Sequence, residues 1–101
     1  MEILKPYRER IDALDDQLVD LLVAREGIIK EVAHIKVKHD IPAILQDRVD
    51  EVRNRCISRA EEQGASPEIV EELYTQLIKF SCDLEEKIAQ EIKALKSELT
   101  S

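Results

Sequence analysis

Several charged residues occupy positions where a helical sequence would ordinarily bury apolar ones. A helix turns about 100° per residue. Arg25 follows Leu18 by seven positions, so it lies within about 20° of it around the axis, and Lys36 follows Ile29 by the same interval. Arg25 and Lys36 are eleven residues apart, hence about 20° apart in azimuth and roughly 16 Å apart in height. Arg48 has Val52 and Cys56 at i+4 and i+8 and stands at the margin of a second apolar face. Ser81 and Glu85, spaced i and i+4, share a row with Ile78 and Ile88. An unpaired buried charge is costly, and Glu85 is the obvious acidic counterpart of the cations. Arg8 precedes Arg25 by seventeen residues, which sets it about 100° away around the axis and about 25 Å along it. It cannot reach the pocket of its own Arg25, but across an antiparallel two-fold interface it could reach a partner's. Taken singly, these cations read as structural: they could pair with Glu85 and Glu31 or carry their heads to solvent. Taken together, they suit a small ligand bearing two carboxylates, because guanidinium forks bind carboxylate in bidentate fashion.

Other chemistries lack their residues. No glycine-rich phosphate loop is present. His34 and His39 are five apart, off the i,i+4 spacing of two ligands on one helix, so no metal site is expected. Ser81, Cys56 and Cys82 have no local histidine to activate them. What remains is positioning plus electrostatics, with no covalent step, no metal and no cofactor.

Three segments must position these groups, and each has helical periodicity. The first runs from about Leu4 to Lys38, with Ile11, Leu14, Leu18, Leu21, Leu22, Ile28, Ile29, Val32 and Ile35 forming an amphipathic stripe. Pro6 fits its first turn. His39-Asp40-Ile41-Pro42 ends it, since the residue before Pro42 is pushed out of the helical region. The second helix begins between Ile44 and Asp47, with Asp47 and Asp50 as an N-cap pair, and Gly64 closes it as a C′ residue. Ser66 and Pro67 open the third helix, which carries Ile69, Val70, Leu73, Leu77, Ile78, Leu84, Ile88, Ile92 and Leu95 and frays from Glu98.

The chain has 101 residues, a size that reads as a single domain over 1–101. Hydrophobic residues make up 44%, which excludes disorder, and two glycines and three prolines are too few for the turns of a sandwich or barrel. The fold class is therefore all-α, with three helices. A net charge of −7 gives no electrostatic footprint for nucleic acid or anionic lipid, and no apolar run reaches the ~20 residues of a membrane span. The N-terminus lacks a signal peptide's apolar core and the cysteines lack CxxC spacing, so a cytoplasmic protein with reduced thiols is expected. A first helix of about 35 residues would be roughly 50 Å long, more than a compact domain of this size can cover. The second helix spans only about half of it. An identical partner chain on a two-fold axis is the simplest cover.

The order and spacing of Arg8-Glu9-Arg10-Ile11-Asp12, Leu21-Leu22-Val23-Ala24-Arg25, Val32-Ala33-His34-Ile35-Lys36, Ile41-Pro42 and Asp47-Arg48 resemble the all-α class of chorismate mutases from about Lys5 to Ala89. The resemblance implies an intertwined homodimer of three-helix chains. It implies a Claisen rearrangement of chorismate to prephenate, in the shikimate pathway of aromatic amino acid biosynthesis. Isochorismate-pyruvate lyase, which forms salicylate and pyruvate, is a relative with the same fold. By position, the resemblance implies that Arg8 reaches a substrate carboxylate in the partner's site, and that Arg25 and Arg48 hold the carboxylates within their own chain. It implies that Lys36 donates to the ether oxygen and to a carboxylate, and that Ser81 lines the pocket. Glu85 falls where many members have Gln as the second donor to that oxygen. A carboxylate has no proton to give, so this role requires the neutral acid. Val49 and Leu45 replace acidic residues that commonly accept from the ring hydroxyl, which keeps isochorismate open as substrate. A helical dimerisation module without catalysis is the reading from another class, and the joint presence of Arg8, Arg25, Lys36 and Arg48 argues against it.

Overall fold

The computed structural model describes residues 2–100; side-chain burial is described for residues 2–99. A short 3-10 turn, Glu2–Leu4, leads into α1 (Lys5–Lys38), followed by α2 (Gln46–Glu62) and α3 (Pro67–Thr100). The described residues contain no strand. The fold class is all-α, as the periodicity predicts.

Pro6 lies at the start of α1, where its missing N–H is no loss. The far end of α1 is closed by backbone chemistry. Asp40 adopts a left-handed conformation (φ 57°), its N–H donates to the Val37 carbonyl (3.2 Å), and the Ile41 N–H donates to the Lys36 carbonyl (2.8 Å). This is a Schellman closure with aspartate in the place usually taken by glycine. The helix therefore stops at Lys38, before Pro42 can act. α2 closes in the same way: Gly64 (φ 73°) donates to Glu61 (3.0 Å) and Ala65 to Ala60 (3.0 Å).

The start of α2 departs from expectation. Leu45, in an extended conformation, occupies the N-cap and supplies no side-chain cap. Asp47 lies inside the first turn, where its charge favours the positive end of the helix dipole, and Asp50 accepts from Gln46 Nε2 (3.1 Å). The two aspartates are not a capping pair. α3 begins at Pro67 as expected but does not fray at Glu98; it stays helical through Thr100.

Within the chain, α2 does not cover half of α1, as its length suggests it would. α1 packs on α3 and makes no packing contact with α2, which lies on α3 instead. Shared clefts bring Leu22 beside Leu77 and Val37 beside Lys93, so α1 and α3 run in the same direction. Val52 meets Cys82 and Ala60 meets Val70, so α2 runs antiparallel to α3. α3 is thus the spine. The N-terminal half of α1 projects past it, and Tyr7, Ile11, Leu14 and Leu18 are all more than half exposed. Only Ala33, Ala60 and Ile78 are buried apolar residues among those described. The radius of gyration is 18.3 Å, against about 13 Å for a compact chain of this length.

Candidate active site

The site forms where α1 and α2 meet the α3 spine. Arg25 and Lys36 come from one face of α1, Arg48, Val49 and Val52 from the first turns of α2, and Ser81, Cys82 and Glu85 from the middle of α3. Together with Ile29, Ala43 and Leu45 they line a cleft of about 120 Å³. The register that places Ser81 and Glu85 in an apolar row also buries them; each is only 6% exposed.

Each polar group has a defined state. Arg25 Nη1 donates to Ser81 Oγ (2.6 Å), and Ser81 passes its own proton to the Leu77 carbonyl (2.9 Å). Arg25 has no carboxylate partner among the described residues, so its charge is unbalanced and half-buried. Lys36 Nζ donates to the Ala43 carbonyl (2.8 Å) and lies 2.7 Å from Glu85 Oε1. That contact is an ion pair, and Oε1 has no further partner among the described residues. Burial, with a smaller contribution from the Glu85 charge, pushes the nearby Cys82 thiol above its ordinary range.

Two expected members stand apart in the single chain. Arg48 borders the cleft, but its guanidinium is exposed and pairs with Glu51 (2.8 Å) one turn on. Arg8 is exposed on the projecting half of α1, with no hydrogen bond or ion pair among the described residues. Arg25, Lys36, Ser81 and Glu85 are brought together; Arg8 is not, and Arg48 stands at the rim. Val49 and Leu45 give one wall an apolar surface. The residue that the sequence does not signal is Ala43. It acts through its backbone carbonyl, which carries no residue-type signature.

The cleft lining therefore holds three cations, Arg25, Lys36 and Arg48, against Glu85 alone. Such a surface can hold an anion with more than one carboxylate and oppose negative charge that develops beside Lys36. No group of three His, Cys, Asp or Glu side chains among the described residues is arranged to hold a metal ion.

The family model for chorismate mutase type II matches residues 7–86, most of the chain and all of the cleft-lining residues. The chain belongs to the chorismate mutase type II family. Among curated proteins it is 28% identical over 81 residues to the T-protein of Haemophilus influenzae, covering 80% of this chain and 22% of that protein. It is 29% identical over 84 residues to the 4-amino-4-deoxychorismate mutase of Streptomyces pristinaespiralis, covering 83% and 65%. It is 31% identical over 91 residues to the bifunctional chorismate mutase/prephenate dehydratase of Aquifex aeolicus, covering 87% and 25%. The chorismate mutase-type chain thus spans about a fifth to a quarter of the two multidomain-sized relatives and about two thirds of the shorter one. No helix among the described residues is long and apolar enough to cross a membrane.

Proposed function

We propose that this chain is a chorismate mutase that rearranges chorismate to prephenate as a homodimer, in the cytoplasm, within aromatic amino acid biosynthesis. The observation that carries the reading is the unbalanced Arg25 cation in one cleft with the Lys36–Glu85 pair, in a chain of this family. Arg25 and Arg48 hold the substrate's carboxylates, Arg48 by exchanging Glu51 for the ligand. The partner's copy of α1 supplies Arg8 from its projecting half. Folding the enolpyruvyl side chain over the ring removes rotational freedom before the reaction. One C–O bond then breaks as one C–C bond forms, with no atom gained or lost. Lys36 and neutral Glu85 meet the negative charge growing on the ether oxygen, and one such preorganised donor contributes about 3–4 kcal/mol. Ser81 holds the Arg25 fork in place. The reaction uses no metal or cofactor.

The apolar wall of Leu45 and Val49 favours a second reading, a ring-modified substrate. Neither side chain can accept from a ring hydroxyl. Isochorismate, cleaved to salicylate and pyruvate, carries its hydroxyl elsewhere on the ring, and 4-amino-4-deoxychorismate enters through the relatives named for it. Incubating the purified chain separately with chorismate, isochorismate and 4-amino-4-deoxychorismate decides among them. Prephenate from the first is the expected result. Salicylate from the second alone, or the rearranged amino compound from the third alone, selects the ring-modified reading. Turnover of none makes the chain a non-catalytic helical module.

A further inference from the structure

The connection between α1 and α2 grips Lys36 at both ends. Its backbone carbonyl accepts the Ile41 N–H (2.8 Å), and its ammonium donates to the Ala43 carbonyl (2.8 Å). Both grips belong to one tight turn, and that turn depends on the left-handed conformation of Asp40 (φ 57°). L-residues other than glycine reach this region at a cost; Asp and Asn tolerate it best and β-branched residues worst. Asp40 is exposed, outside the catalytic cleft and without a side-chain hydrogen bond or ion pair among the described residues, so its contribution lies in its backbone.

We propose that Asp40 is a positioning residue for Lys36. Its left-handed turn carries the Ala43 carbonyl back over the end of α1, so that the ammonium is fixed between that carbonyl and Glu85. Glu85 supplies an ion-pair contact on one side (2.7 Å), and the Ala43 carbonyl supplies the hydrogen bond on the other (2.8 Å). If the turn opens, Ile41 releases the Lys36 carbonyl, Ala43 moves away, and the ammonium keeps its charge but loses its aim. This inference rests on the reading of Lys36 as the donor to the reacting oxygen.

The test is a series at one position: Asp40→Gly, Asp40→Ala and Asp40→Val. Misplacing a catalytic group by about 1 Å costs up to about 100-fold in rate. The expected result is parent-like kcat for the Gly variant and a graded loss through Ala to about 10-fold or more for Val. KM should rise by a smaller factor than kcat falls, because Arg25 and Arg48 keep their hold on the carboxylates while Lys36 alone is displaced. The Ala variant carries the test if the Val variant does not fold. Equal kcat across the folded variants overturns the proposal; so does a Gly variant as poor as Ala, which would assign the role to the carboxylate. Crystal structures of the same variants give a readout that does not need turnover. Lys36 Nζ should stay on the Ala43 carbonyl in the Gly variant and leave it in the Ala or Val variant. An unmoved ammonium in all of them overturns the proposal even if the parent rearranges no substrate, a result that would separately defeat the mutase reading.

Discussion

Glu85 is where protonation state and role are most tightly tied. It is buried, and its Oε1 lies against Lys36 with no further partner among the described residues. As a carboxylate it neutralises Lys36; as an acid it donates. Glu85→Gln, which always carries donor hydrogens, should therefore keep or raise kcat, and Glu85→Ala, which carries none, should lower it. Equal kcat in the Gln and Ala variants would remove Glu85 from the mechanism. Lys36→Ala should lower kcat on the order of 100- to 1,000-fold, as expected for loss of one preorganised donor, with single-turnover kinetics separating that from binding. Cys82 gives an independent view of the same carboxylate. Burial and the Glu85 charge both hold its thiol protonated, so alkylation should be slow at neutral pH and accelerate only well into the alkaline range. In Glu85→Gln the alkylation profile should shift part of the way down, because burial, the larger cause, remains.

At the scale of elements, the two turns do related work with different residues. Gly64 sits at φ 73° with open space around it, so a Cβ there meets strain and no clash. Gly64→Ala should cost about 1 kcal/mol in chemical denaturation at fixed protein concentration and leave kcat unchanged, since no cleft residue leans on that turn. Gly64 was legible in the sequence because glycine announces a left-handed position. Asp40 was not: Pro42, two residues on, offers a sufficient reason for the helix to stop, and aspartate carries no such announcement. Helix periodicity located all three helices and put Arg25, Lys36, Ser81 and Glu85 on buried faces. It identifies a face but not what the face meets, so α3 rather than α2 covering α1 was hidden, as was Glu51 drawing Arg48 outward. The Asp47–Asp50 cap failed for a local reason: the chain enters α2 two residues early, at Gln46, which puts Asp47 inside the helix.

The whole molecule is too long and too thin for its composition. It measures 66 × 29 × 16 Å, and the projecting half of α1 shows water a stripe running from Tyr7 through Ile11, Leu14, Leu18 and Leu21. Contiguous apolar exposure on this scale marks an association surface. A two-fold pairing of α1 helices would cover the stripe and carry each Arg8 toward the other chain's cleft. Sedimentation equilibrium should give twice the mass of one chain. Leu14→Asp, which places a charge in the stripe, should shift the population toward monomer and abolish turnover; an active monomer would contradict the shared site.

The central claim is that one cleft is built from two chains, with Lys36 from one and Arg8 from the other. Mixing Arg8→Ala chains with Lys36→Ala chains, and allowing subunits to exchange, tests it most directly. Each heterodimer then holds one intact site and one doubly impaired site. A fully exchanged equal mixture should regain about one quarter of the parent's rate per chain, from two nearly inactive preparations. Exchange verified by mass, with no rate above the sum of the two parents, would contradict the account.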